Sequence, residues 1–131
     1  MSLTLGTEVR LAVAFPEALE RVRAALQTEG FGILTTTDLQ KAFRDKLGAD
    51  FRPYTILGAC NPALAYAALQ DNVDVALALP CNVVLREDAD RTVVTAVLPS
   101  SALGRFEGQK VRDSEAKAIE ALSRVFDALA L

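Results

Sequence analysis

The sequence predicts an α+β fold: a two-layer sandwich with one largely antiparallel sheet of about five strands and helices on one face. Three observations carry this. Val9, Leu11, Val13 and Phe15 alternate with smaller or polar residues, the period of a half-buried strand. Several later segments carry apolar residues at helical spacing, each with its own start or stop signal. Finally, two apolar runs at residues 82–87 and 92–98 are joined through Asp88-Ala89-Asp90, which reads as a tight hairpin. The expected order is β-α-β-α-β-α-β-β-α, and hairpins mixed with crossovers favour α+β over a doubly wound sheet.

In chain order, the first strand covers residues 9–15, with Glu8 and Arg10 on its outer side. Pro16 then opens a helix at a position where its missing N–H costs nothing; Leu19, Val22 and Leu26 form its inner stripe and Gly30 ends it. Residues 31–36 read as a second strand. Thr37-Asp38-Leu39-Gln40 fits a capping box, so the next helix carries Leu39, Phe43 and Leu47 inward and stops at Gly48. Phe51-Arg52-Pro53 bends into a third strand at 54–59. Asn61-Pro62 supplies an N-cap and a first-position proline for a helix over 63–70, with Leu64, Ala65, Ala68 and Leu69 inward. Residues 71–79 fit neither period. After the hairpin strands, a loop over 99–109 leads to a last helix marked by Ile119, Leu122, Phe126 and Leu129.

The 131 residues suit a single domain, 1–131, with one core. Fourteen basic residues scattered among 17 acids give a net charge of −3, which argues against nucleic acid as a partner, because sequence-independent affinity for phosphates needs clustered cations. The start lacks the basic and long apolar regions of a signal peptide, and the most apolar stretch, 75–80, is too short to span a membrane. A soluble, cytoplasmic protein with reduced thiols is expected. There is no histidine, which removes the usual proton shuttle and the commonest metal ligand.

Phe31-Gly32-Ile33-Leu34-Thr35, Phe51-Arg52-Pro53-Tyr54, Ile56-Leu57-Gly58-Ala59-Cys60-Asn61-Pro62, Leu64-Ala65-Tyr66-Ala67-Ala68-Leu69 and Leu79-Pro80-Cys81-Asn82-Val83-Val84 occur in that order. Together they resemble the domain of unknown function 302 family of small prokaryotic proteins. The likeness spans about 9–98 and weakens into the C-terminal helix at about 110–130. Thr36-Thr37-Asp38 departs from the Glu-Ile-Asp that members commonly carry. The resemblance implies a curved sheet similar to the TATA-binding-protein fold, and implies no reaction.

The candidate site is the repeated dipeptide Cys60-Asn61 and Cys81-Asn82, which holds both cysteines of the chain. Each doublet falls at a strand terminus, so the two thiols are expected near each other at one end of the sheet. Cys60, just before a helix start, is expected to have a lowered thiol pKa. Arg52 is a further ligand-binding candidate, able to present a guanidinium to a carboxylate or phosphate. Tyr54, Tyr66, residues 35–37 and the acids Glu87, Asp88 and Asp90 are weaker ones, each with a packing or solvation role as the plain alternative. A buried thiol also behaves simply as a small hydrophobe.

The function read from these residues is a binding module for a small-molecule ligand or a soft metal held by Cys60 and Cys81; no cofactor is identified. The alternatives are a thiol-dependent enzyme or redox sensor using Cys60, and a non-catalytic regulatory domain that self-associates. A homodimer is expected from unfinished burial, with Ala12, Ala14, Thr55, Leu57, Ala59, Val94 and Ala96 on an uncovered sheet face.

Overall fold

Five strands form one open sheet: β1 (Gly6–Leu11), β2 (Gly32–Asp38), β3 (Tyr54–Cys60), β4 (Cys81–Asp88) and β5 (Arg91–Val97), in a computed structural model that describes residues 5–130. The first four residues, part of the stretch read above for a signal peptide, lie outside the described residues. Strand order is β1-β5-β4-β3-β2, and every neighbouring pair is antiparallel. The helices are α1 (Phe15–Thr28), α2 (Leu39–Leu47), α3 (Pro62–Asp71), α4 (Pro99–Leu103) and α5 (Gln109–Leu129). The element order expected from the sequence is present, with two short helical segments added. Residues 71–79 contain a 3₁₀ segment, Val73–Ala78, and the expected loop after β5 begins with α4.

The main core lies between the sheet and α1 with α5. Val22 and Leu26 of α1 and Leu122, Val125 and Phe126 of α5 pack on Leu11, Leu57, Val83, Leu85 and Val94. In a pleated strand alternate residues share a face, so Thr55, Leu57 and Ala59 of β3 and Val94 and Ala96 of β5 all point toward the helices. These residues were expected on an uncovered face; they are buried instead. Ala12 and Ala14 fall in the link between β1 and α1 and belong to neither face.

The other face carries Ile56, Val84, Arg86, Val93, Thr95 and Arg10. Val93 is completely buried there although no helix covers it. Its partners across the two neighbouring strands are Arg10 and Arg86, and both guanidinium groups meet Asp88, at 3.1 and 3.8 Å. The aliphatic stems of two arginines, steered by one carboxylate, therefore cover this part of the sheet while their charges stay wet. The dimer expectation rested on the opposite face, where Thr55, Leu57, Ala59, Val94 and Ala96 are buried within this chain.

Several element ends differ from the sequence reading for local reasons. β1 ends at Leu11, because Pro16 near the helix start lets Phe15 open α1; Val13 and Phe15 still pack against the core. The N-cap of α2 is Asp38, not Thr37: its carboxylate accepts from the Lys41 N–H at 3.0 Å, and the Gln40 amide donates to the Phe51 carbonyl at 2.9 Å instead of closing a box. Leu47, expected inward, is 73% exposed, since α2 connects β2 to β3 outside the main core. Ile119 is likewise exposed, and the buried stripe of α5 runs through Val111, Ser114, Ala118, Leu122 and Val125.

A second cluster, Ala68, Val75, Leu103 and Val111, joins α3, the 3₁₀ segment, α4 and α5. Asp71 at the end of α3 strengthens this join by accepting from the Lys110 N–H of α5 at 2.8 Å. A carboxylate at that helix start is favoured by the unpaired N–H groups there. Gly108, at φ 134°, leaves the room: a Cβ would run into the Asp71 carboxylate. Among the described residues no helix is long and apolar enough to cross a membrane.

Candidate functional site

Cys81 opens β4 and pairs with Ala59, the next-to-last residue of β3; Cys60 is the next residue along. The two cysteines are therefore neighbours at one end of the sheet, as the strand-end positions of the doublets predict. The pleat sends Cys81 with Ala59 to the helix-covered face, and Cys60, the last residue of β3, lies where the chain turns into α3 and lines the same cavity as Cys81.

Both cysteines line one partly open cavity of about 30 Å³, together with Phe31, Leu64, Val75 and Ala118. A second of about 20 Å³ lies on the other side of Cys81, sharing Phe31, Ala59 and Ala118 with the first. A water needs roughly 10–15 Å³ measured this way, so each cavity holds one or two small atoms. The walls are almost wholly apolar. Besides the two thiols the lining has two polar residues, Asn61 and Ser114, and the Ser114 hydroxyl is already committed, donating to the Leu64 carbonyl at 3.0 Å.

Burial pushes both thiols up from their ordinary value. At Cys81 burial is the larger cause and the neighbouring Cys60 adds to it, because two thiolates side by side would repel. The lowering expected for Cys60 from the α3 N-terminus is thus reversed. Its physical reason is that the first-turn Leu64 N–H is taken by the Asn61 side chain at 3.4 Å, while the thiol has lost water. At neutral pH both groups carry their protons.

Of the remaining candidates, Asn61 lines the first cavity beside both thiols and Asn82 the second beside Cys81, while the others lie elsewhere. Asn61 is a helix cap that also donates from its amide to the Glu29 carbonyl at 3.5 Å, tying the end of α1 to the start of α3. Asn82 is exposed and lines a shallow groove with Val84, Thr95 and Leu5 on the far face of the sheet. Arg52 lies before the start of β3, at the opposite end of that strand from Cys60, with its guanidinium 6.0 Å from the centre of the Phe51 ring. Phe51 in turn touches Phe43 and Tyr54, at 5.0 and 5.6 Å between ring centres. Asp88 is engaged by Arg10 and Arg86. Among the described residues no three histidine, cysteine, aspartate or glutamate side chains cluster as metal ligands, so a closed four-ligand zinc centre is not built.

The sequence reading missed Phe31, Val75 and Ser114 as walls of the cavity. Val75 stands in the stretch without a clear period, and Ser114 is an ordinary polar residue in a helical pattern, so neither carries a signal before α3 and α5 are packed together.

The family model described as Domain of unknown function DUF302 matches residues 7–129. Among solved structures, the chain is similar to the crystal structure of an uncharacterized conserved protein DUF302 from Bacillus stearothermophilus, with 27% identity and a TM-score of 0.85. The match covers 96% of this chain and 98% of that one. No curated protein matches it.

Proposed function

The chain belongs to the DUF302 family, and from that premise we propose that it acts, as a single domain, as a binding module for one soft monovalent metal ion, Cu(I) in its chemistry, taken between Cys60 and Cys81. The supporting observation is that two thiols line one small apolar cavity in whose walls no other group can ionise. A metabolite-sized ligand needs a pocket roughly ten times larger. A single polarisable ion fits, and thiolate sulfur selects Cu(I). The reading fits a reducing compartment such as the cytoplasm, where both sulfurs stay free. It is preferred to a thiol enzyme because burial keeps Cys60 protonated, and the thiolate is the nucleophile.

Anaerobic titration with Cu(I) against a chromophoric chelator tests this. One ion per chain is expected, with at least about a tenfold loss of affinity in both Cys60→Ser and Cys81→Ser. Uptake displaces protons from thiols whose pKa lies above the ordinary 9.0, so apparent affinity should rise as pH climbs from 7 toward 9. Equal binding by the wild type and both variants would refute the site.

Self-association is a second reading, moved from the sheet to α3 and the 3₁₀ segment. Tyr66, Val73 and Leu77 there are 66%, 76% and 86% exposed, the densest run of exposed large apolar residues in the described chain. Light scattering at micromolar concentration should give the mass of two chains, and Leu77→Glu that of one; a monomeric wild type removes this reading.

A further inference from the structure

We propose that the 3₁₀ segment Val73–Ala78 is the gate to the thiol-lined cavity, and that the side-chain amide of Asn72 is its latch. The inference rests on the reading above only for what enters the cavity. The gate itself follows from how the segment is held.

Six residues is long for a 3₁₀ helix, whose bonds are poorer than those of an α-helix and which rarely runs beyond three or four. Its inner side is one plug: Val75 is fully buried among Ala68, Leu103 and Val111 and forms a wall of the cavity. Its outer side carries Val73 and Leu77, which are exposed, so nothing in the described chain presses it inward. Leu79, just after it, is a second wall and leads through Pro80 to Cys81. Outward movement therefore withdraws Val75 and Leu79 together and opens the cavity beside Cys81. β3, β4 and α5 need not move.

One residue holds the segment at its entry. The Asn72 amide nitrogen donates to the Glu107 carbonyl at 3.1 Å, across the gap to the loop before α5, and its oxygen accepts from the Asp74 N–H at 3.1 Å. The same residue thus starts the 3₁₀ segment and fastens it to the neighbouring loop. The backbone bonds Val75 N–H to Asn72 and Leu79 N–H to Ala76, at 3.2 and 3.1 Å, close the turns at its two ends.

Alkylation of Cys81 in a Cys60→Ser background reads the gate without any metal. In native buffer, Asn72→Ala should label at least about fivefold faster than its parent, since of the two bonds lost the one to the Glu107 carbonyl fastens the segment to its neighbouring loop. The rate should depend only weakly on low urea, because a local opening exposes little surface. Hydrogen exchange should show the Val75 and Leu79 amides accelerated in Asn72→Ala, with those of α5 unchanged. An unchanged labelling rate, a urea slope equal to that of global unfolding, or uniform acceleration of exchange would each overturn the gate. Since no ion enters the experiment, failure of Cu(I) uptake and failure of the gate are separate results.

Discussion

Leu57→Asp is expected to abolish the fold. Leu57 sits mid-strand in β3, fully buried, with Val83 beside it on β4 and the helices above it. Truncating a buried leucine typically costs about 2–5 kcal/mol, and placing a carboxyl group in the same apolar position adds its desolvation. Against a total stability of about 5–15 kcal/mol for a domain, the native state should no longer be the populated one. Circular dichroism and soluble yield check this. A soluble variant with a cooperative melt close to that of the wild type would show that this face of the sheet is not the core. The same substitution would have been the choice for splitting a dimer had Leu57 lain on an open face, so its outcome also decides which parity of β3 meets the helices.

Gly58→Ala should be the next most damaging change, although it adds a single methyl group. Gly58 is buried on the face away from the helices. A Cβ there would collide with the Thr35 hydroxyl of β2 and stand 2.8 Å from the Cγ of Pro80. Thr35 has a short side chain and Pro80 a closed ring, so neither can swing away as a long flexible side chain could. Overpacking of this kind costs typically about 1–3 kcal/mol, and with two rigid neighbours we expect the upper end. Urea denaturation of Gly58→Ala, Thr35→Ala and the double variant forms a cycle. Part of the loss should be recovered in the double variant and part should persist through Pro80. Strict additivity would mean that Thr35 does not limit the space.

Features that depend on local chemistry were the legible ones in the sequence. Pro16 and Pro62 opened helices, Gly48 closed one, and the 88–90 turn joined two strands, because those residues constrain the backbone wherever they occur. Which side of the sheet is covered was not legible. β3 offers Leu57 and Ala59 on one parity and Ile56 on the other, while Val83-Val84 and Val93-Val94 are apolar on both. The open face is marked instead by Arg10 and Arg86 on either side of Val93, a relation between strands that no single segment displays. The short helix α4 and the 3₁₀ segment were hidden for a related reason, since both are held by the small cluster around Val75 and Leu103 more than by their own propensity.

For the site, the terminal positions of Cys60 and Cys81 foretold their proximity, because β3 and β4 are neighbouring antiparallel strands. The direction of their acidity was beyond reach. A helix start nearby argues for a lower thiol pKa, and only the packed walls of Phe31, Leu64 and Val75 reveal that burial prevails.

The pairing of β1 with β5 joins the first strand of the sheet to the last in chain order, from Gly6 opposite Val97 to Leu11 opposite Thr92. During synthesis, β1 is made before its partner β5 and stays unpaired until β2, β3 and β4 have followed. Meanwhile β3, β4 and β5 can pair in order as they appear, each closing a shorter loop than β1 does. Glu8 and Arg10 put on this strand the kind of charge that disfavours pairing of an open edge with other chains. The arginine that later covers Val93 thus also suits its own strand while that strand is still alone.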